Sequence, residues 1–330
     1  MKRLVNTFLI VLTLAITISC NSDSDTQKGL NKASLRLGWI PSASFSGEVA
    51  GMEMFDEDYK LDLSVEAGGP GMNSIQLVQT GEDTFGTLAA DEVLAANDKG
   101  ADFVIIGVIN YYSPGGFVSL EEKNITQPSD FEGSIVGMLP FGSTTLLYES
   151  LIRKNNVDRS EITEITVSQD LRTFLNGNYD VHPVFVYDET VTLDRQNIAY
   201  NLIEPKNFGV TLKGPVYFCK RETLENSPEI VEAFVKTMAD GWNYAIQNSD
   251  SAIAMLKEFA PEVDTERERQ VLEKGIPYFS AYQNQPINSD LGSWNEMEAE
   301  LKQLNIIEND VDLDRVLHLE FIHDYYSQRN

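Results

Sequence analysis

Two glycine-led helix starts, Gly142-Ser143-Thr144-Thr145 and Gly71-Met72-Asn73-Ser74, are the stretches best built to hold an anionic group. The free backbone N–H groups and positive dipole end of a helix favour negative charge, although plain capping is their commoner use. Asp91, after Leu88-Ala89-Ala90, has two readings, an acid facing a binding site or a helix cap. Trp39 closes the first predicted strand. An indole there stacks on a flat or cationic solute if it projects from the sheet, or else serves the core. Reactive groups are sparse. The three histidines, His182, His318 and His323, form no Ser/His/Asp order and no metal cluster, and no phosphate loop is present. His318 and His323 are five apart on a predicted helix, do not share a face and read as structural. Cys219 sits in the apolar run Pro215-Val216-Tyr217-Phe218-Cys219 and reads as a buried small hydrophobe rather than a nucleophile. We therefore assign no catalytic residue, metal ligand or cofactor.

The elements that must position these residues alternate between strand and helix. Leu35, Leu37 and Trp39 alternate as in a strand, and Leu61 to Val65 form a second. Helices are predicted over 45–55, 73–80 with Gly81 as its stop, and 91–99 closed by Gly100. Phe103 to Ile109 is a continuous apolar run suited to a buried parallel strand. Gln127-Pro128-Ser129-Asp130 marks a boundary, after which the pattern restarts. Strands follow at 135–138, 162–167, 181–186 and 197–203, with a helix from Ser143 to about Lys154. This alternation implies βαβ units and mostly parallel sheets. From Ser227 the chain reads as helical, with Ser227 as cap and Pro228 at the first helical position. Further helices are predicted near 251–259, 264–274, 290–304 and 313–327.

The 330 residues carry a net charge of −26. That balance disfavours nucleic acid, whose phosphates need Lys and Arg. It also disfavours anionic lipid held by charge alone. The chain opens with Lys2 and Arg3, a short apolar run from Phe8 to Ile18, and Ser19-Cys20. The run is shorter than the roughly 20 residues a membrane span needs and reads as an export signal. Ser19-Cys20 resembles a bacterial lipoprotein lipobox, with Thr17 where leucine is usual. The resemblance implies cleavage before Cys20 and a lipid on its thiol. Residues 1–20 are then a signal peptide and 21–33 a polar tether.

The stretch Leu35-Arg36-Leu37-Gly38-Trp39-Ile40-Pro41, followed by Gly47-Glu48-Val49-Ala50, resembles the opening of the NMT1/THI5-like solute-binding proteins of ABC importers. Gln79-Thr80-Gly81-Glu82-Asp83-Thr84-Phe85-Gly86 is similar to that family's glycine–acid–phenylalanine–glycine turn. Ile125-Thr126-Gln127-Pro128-Ser129-Asp130-Phe131-Glu132-Gly133 is similar to its linker into a second lobe. Phe208-Gly209-Val210 leading to Pro215-Val216-Tyr217 resembles its return strand. The resemblance covers about 35–260, and the shared order of the motifs carries it.

The family implies the type II periplasmic-binding-protein fold, two α/β lobes with a ligand cleft between them. One lobe is expected to be discontinuous, 34–120 plus 215–330, and the other to span 123–213, hinged near 120–123 and 211–215. Strand carboxyl ends, where open α/β sheets bind ligands, then face the cleft. Trp39 becomes a stacking residue. Ser143 and Thr144 become the preferred helix start, because the family often places ligand contacts there. Tyr187-Asp188-Glu189 falls where pyrimidine-binding members carry a base-recognising glutamate, so Tyr187 and Glu189 join the site. Phe45 stands where those members carry histidine, in a Trp-x-Pro-x-x-x-His pattern. Phenylalanine supplies no imidazole nitrogen, which argues against the fungal pyrimidine synthase reaction and suits a more aromatic or aliphatic solute.

The implied function is an envelope-anchored receptor that captures a small solute, with a heteroaromatic, thiamine-precursor-like molecule among the candidates, and docks on an ABC permease without turning anything over. Two rivals stand beside it. One is an enzyme of the THI5-like pyrimidine synthase class, for which His182 is the only histidine near the expected cleft. The other is a non-transport sensor or scaffold on the same fold.

Overall fold

The computed structural model describes residues 29–140 and 142–329. The expected export signal, Cys20 and most of the expected tether lie outside the described residues.

Two five-stranded sheets organise the chain. The first takes β1 (Asn31–Arg36), β2 (Leu61–Glu66), β3 (Phe85–Ala89), β4 (Phe103–Val108) and β10 (Pro215–Lys220), in the order β2-β1-β3-β10-β4. The second takes β5 (Gly115–Leu120), β6 (Ile135–Met138), β7 (Thr163–Thr166), β8 (Val181–Phe185) and β9 (Tyr200–Ile203), in the order β7-β6-β8-β5-β9. Each is parallel except for one strand that arrives from the other lobe and runs antiparallel. That strand is β10 between β3 and β4 in the first sheet, and β5 between β8 and β9 in the second.

Burial explains why these segments are strands. β4 ends the order of its sheet yet is buried on every residue, because helices pack against it and Leu317 bridges Ile105 on its outer edge. β2 alternates buried and exposed, as its edge position allows. The longer helices are α1 (Ser46–Met54), α2 (Ser74–Thr80), α3 (Ala90–Asp98), α4 (Ser143–Lys154), α5 (Glu189–Arg195), α6 (Pro228–Gln247), α7 (Ser249–Phe259), α8 (Thr265–Phe279), α9 (Gly292–Gln303) and α10 (Glu320–Ser327). α6 turns Val231, Phe234, Val235, Met238 and Trp242 into the core of the first lobe. Among the described residues no helix is long and apolar enough to cross a membrane.

Several expectations need correction. β1 begins at Asn31, so the last residues assigned to the tether are sheet. It ends at Arg36, which leaves Trp39 in the loop beyond the strand. Gly115–Leu120 belongs to the second lobe, not to a first lobe running to 120, because its backbone pairs with β8 and β9. The first crossing is therefore 109–114 rather than 120–123. The second, 209–214, lies close to the expected hinge. The two crossings are joined to each other. Ser113 N–H donates to Leu212 O at 2.8 Å, and Gly214 N–H donates to Asn110 O at 2.9 Å. A side chain at position 214 would strike Asn110 Cβ at 2.6 Å, so the residue must be glycine for the strands to run this close. Ser227 precedes α6, but its side chain makes no capping hydrogen bond. The predicted helix over 313–327 is broken, and His318 lies in the break, where its backbone N–H donates to Ile105 O at 2.9 Å.

Candidate functional site

The sequence-predicted residues follow the carboxyl ends of four parallel strands. Trp39 comes after β1 and Asp91 after β3, which are hydrogen-bonded neighbours. Ser143 and Thr144 come after β6, and Tyr187 and Glu189 after β8, also parallel neighbours. Each sheet thus delivers its residues to one edge. Contacts between the lobes show that the two edges face each other. The Ser143 hydroxyl lies 3.5 Å from Asp91 Oδ1, joining the start of α4 to the start of α3. Tyr187 reaches into the first lobe, where its hydroxyl lies beside the Ser44 side chain and its ring packs on Phe279 at 5.1 Å and Tyr278 at 5.6 Å. Asp188 pairs with Arg267 of α8.

Trp39 is 40% exposed, which removes the reading as a core tryptophan. Its loop is held in place. The Gly38 N–H donates to Thr87 Oγ1 at 2.6 Å, and Trp39 O accepts from the Gly68 N–H at 3.1 Å. A Cβ at Gly68 would sit 2.1 Å from Leu37 O, so only glycine lets the two loops touch. Phe45 is buried in the first lobe's core just ahead of α1, and it does not share Trp39's exposure.

The two helix starts differ. Asn73 caps α2 by accepting from the Gln76 N–H at 3.1 Å, so the stretch from Gly71 is ordinary capping. α4 begins from Gly142, at φ 99°, and no side chain among the described residues caps it. Thr144 is buried beneath β5, its methyl close to where a Gly115 side chain would be. Ser143 turns to Asp91 instead of to its own helix.

The acids are electrostatically unusual. Burial raises the Asp91 carboxyl to about 7, helped by nearby Glu92 and opposed by hydrogen bonds from its own backbone and Ser143. Burial likewise raises Glu189 to about 7, with the adjacent Asp188 adding to the effect and Arg267 opposing it. Glu189 Oε2 accepts the Phe185 N–H at 2.7 Å, closing the turn out of β8. Both acids therefore titrate near neutrality, and both sit in the first turn of a helix, where the dipole tolerates their charge.

His182 is not in the cleft. It is buried in β8 with its Nδ1 2.8 Å from the Tyr179 hydroxyl and its ring on Phe174, and burial lowers it to about 4. His323 Nε2 lies 2.9 Å from Ser289 O, in a structural contact. Cys219 is buried, and burial pushes its thiol up to about 12. Among the described residues no group of three His, Cys, Asp or Glu side chains is placed to hold a metal. A separate cavity of about 550 Å³ lies within the first lobe, lined by Phe55, Asp240, Asn243, Tyr325 and Arg329 among others. None of the sequence-predicted site residues lines it.

Sequence reasoning missed the ties that hold the lobes together. Lys274 Nζ lies 2.6 Å from Asp194, Arg195 3.3 Å from Asp264 and Lys154 3.3 Å from Glu300, which also pairs with Arg153. It also missed Lys213 in the second crossing. That residue is buried, and its ammonium stands 3.3 Å from the centre of the Tyr111 ring. Burial lowers it to about 8. No local pattern signals these pairs, because each partner is distant in sequence.

The family described as NMT1/THI5 like matches residues 55–252, well over half of the chain. The chain belongs to the NMT1/THI5-like family. Among similar proteins is the formylaminopyrimidine-binding protein of Halalkalibacterium halodurans, 20% identical over 89% of this chain and 91% of that one. Another is the riboflavin-binding protein RibY of Chloroflexus aurantiacus, 21% identical over 98% of both chains. Among solved structures, the sulfonate-binding protein SsuA of Methylobacillus flagellatus KT superposes with a TM-score of 0.70. It shares 13% identity, over 91% of this chain and 95% of that one. The same fold also carries chemistry, since the desulfurization enzyme DSZB aligns with a TM-score of 0.62 at 13% identity over 90% of this chain and all of that one. This NMT1/THI5-like chain thus has the two-lobed periplasmic-binding fold of SsuA.

Proposed function

We propose that the protein is the extracytoplasmic solute receptor of an ABC importer, held at the cell envelope by a lipid on Cys20. The observation that carries this reading is the opposition of the two sheet edges, with Asp91 of one lobe meeting Ser143 of the other. A solute lodged between them touches both lobes at once, and its differential affinity for the closed state draws them together about 109–114 and 209–214. The closed form then docks on a permease. The related proteins named for formylaminopyrimidine and riboflavin support a ring-shaped solute. So does the half-exposed Trp39 indole, a stacking surface at the mouth of the cleft. Asp91, Ser143, Thr144, Tyr187 and Glu189 complete the proposed site. Asp91 and Glu189 oppose a sulfonate, whose fixed negative charge meets two acids there.

Thermal-shift screening of the purified protein against vitamin precursors and other small metabolites tests this reading. A ligand that binds only the folded state raises its melting temperature. A nitrogen heterocycle is expected to produce the largest rise, and chemical conversion of the hit in place of reversible binding would favour an enzyme instead. Changing Cys20 to Ser should move the protein from the membrane fraction to the soluble fraction. Retention in the membrane fraction would remove the lipid anchor.

A further inference from the structure

One buried acid beside the cleft is left unused by the receptor reading, on which the present inference rests. Glu48 lies in the first turn of α1 and is fully buried. Its Oε1 accepts the Tyr217 hydroxyl at 2.7 Å, and that hydroxyl accepts the Trp242 indole N–H at 2.8 Å. Its Oε2 has no hydrogen-bond partner, and neither has the Ser46 hydroxyl two residues earlier. Buried polar atoms are nearly always paired, so these two oxygens are available to a group that enters beside them. Their position says where it comes from. The charge of Glu48 is felt at the Tyr187 hydroxyl, which the second lobe brings against the first. Tyr187 packs on Phe279, and Phe279 lies 4.4 Å from Trp242, the residue that closes the network around Glu48. The unpaired oxygen therefore lies beneath the place where the 187–189 turn meets α8 and the loop before α1.

We propose that Glu48 recognises the solute, its free oxygen pairing with an N–H or amino group of a nitrogen heterocycle bound beneath Tyr187. The Tyr217 hydroxyl pins one oxygen and so fixes the direction of the other. The aromatic rings around it suit a flat ring. Burial raises the carboxyl to about 8 in the unliganded fold, and an N–H or amino group brought to the free oxygen stabilises the ionised form and draws that value down. An alkanesulfonate brings only acceptors to this oxygen, so it cannot stabilise the ionised carboxylate and is repelled by it. Glu48 thus selects heterocycles over sulfonates.

The test is calorimetric titration of the wild-type protein and of Glu48→Gln with formylaminopyrimidine, riboflavin and methanesulfonate. The variant keeps an acceptor for Tyr217 but replaces the free oxygen with an amide NH₂. The wild type is expected to bind a heterocycle, and the variant to bind it at least tenfold more weakly. Equal binding by the two proteins overturns the proposal. Binding of methanesulfonate alone overturns it too while leaving the receptor reading in place, whereas no binding of any probe by the wild type removes both. Infrared spectroscopy gives a second readout that does not depend on the variant's folding. The carbonyl stretch of a protonated buried carboxyl in the wild type should shift when the heterocycle is added. A band unmoved by a bound heterocycle overturns the assignment.

Discussion

Removing the charge at Glu48 should change how the protein's stability depends on pH, and the size of the change follows from its surroundings. The carboxyl titrates at about 8 in the fold, because burial outweighs its bond from Tyr217, against an ordinary 4.5. At about 1.4 kcal/mol per tenfold, ionising it in place costs the fold on the order of 5 kcal/mol. The folded chain holds this proton more tightly than the unfolded chain does. The stabilisation is therefore full below about pH 4.5 and is lost progressively as the pH rises towards 8. Glu48→Gln has no such proton. It carries a roughly constant cost of about 1–3 kcal/mol for an unpaired buried amide, and it loses the slope. Urea unfolding at acid and alkaline pH, followed through the buried Trp242 and Trp294, measures the difference. The wild type should be the more stable protein in acid. The gap should close or reverse in alkali, by a total of roughly 3–5 kcal/mol. Asp91 and Glu189, also raised, should leave the variant a smaller slope of the same sign. Two parallel pH profiles would refute the account of Glu48 as a buried, proton-holding acid.

Three other substitutions probe the cleft and its hinge. Trp39→Ala should weaken the best ligand at least tenfold while leaving the melting temperature of the empty protein nearly unchanged, since the indole is half-exposed; an undiminished thermal shift removes Trp39 from the site. Gly214→Ala forces a Cβ against Asn110 and should cost about 1–3 kcal/mol in urea unfolding, and an unchanged midpoint would show that the two crossings separate easily. Arg267→Ala strips Asp188 of its partner across the lobes and should speed ligand release several-fold in stopped-flow measurements with little effect on the association rate; equal release rates would show that this tie does not hold the lobes together.

Much of the fold was legible because strands and helices advertise themselves locally. The fully apolar stretch from Phe103, the alternation of Leu61, Leu63 and Val65, and the Asn73-to-Gly81 helix signals all correspond to observed elements. Sheet membership was not legible. Gly115–Leu120 is not among the strands the sequence predicts, and only its pairing with β8 and β9 defines it and assigns its lobe. The loops that carry the proposed site could be named only piecemeal, Trp39 from a strand end, Ser143 and Thr144 from a helix start, and Tyr187 and Glu189 from the family resemblance; β3, the strand ahead of Asp91, was not predicted. The role of Glu48 could not. An acid on a short helix reads as a solvated face, and its partners Tyr217 and Trp242 lie 169 and more residues away. Phe45, placed beside Trp39 by the family pattern, lies instead in the core, where its neighbours in sequence gave no sign of depth.

The most direct test of two lobes clasping a solute is a crystal structure of the protein with its best-binding heterocycle. The account predicts ligand density between Trp39 and Asp91 on one side and Ser143 and the 187–189 turn on the other, with a ring edge directed at Glu48. Density confined to the cavity beside Asp240 and Arg329, with nothing between the lobes, would contradict it.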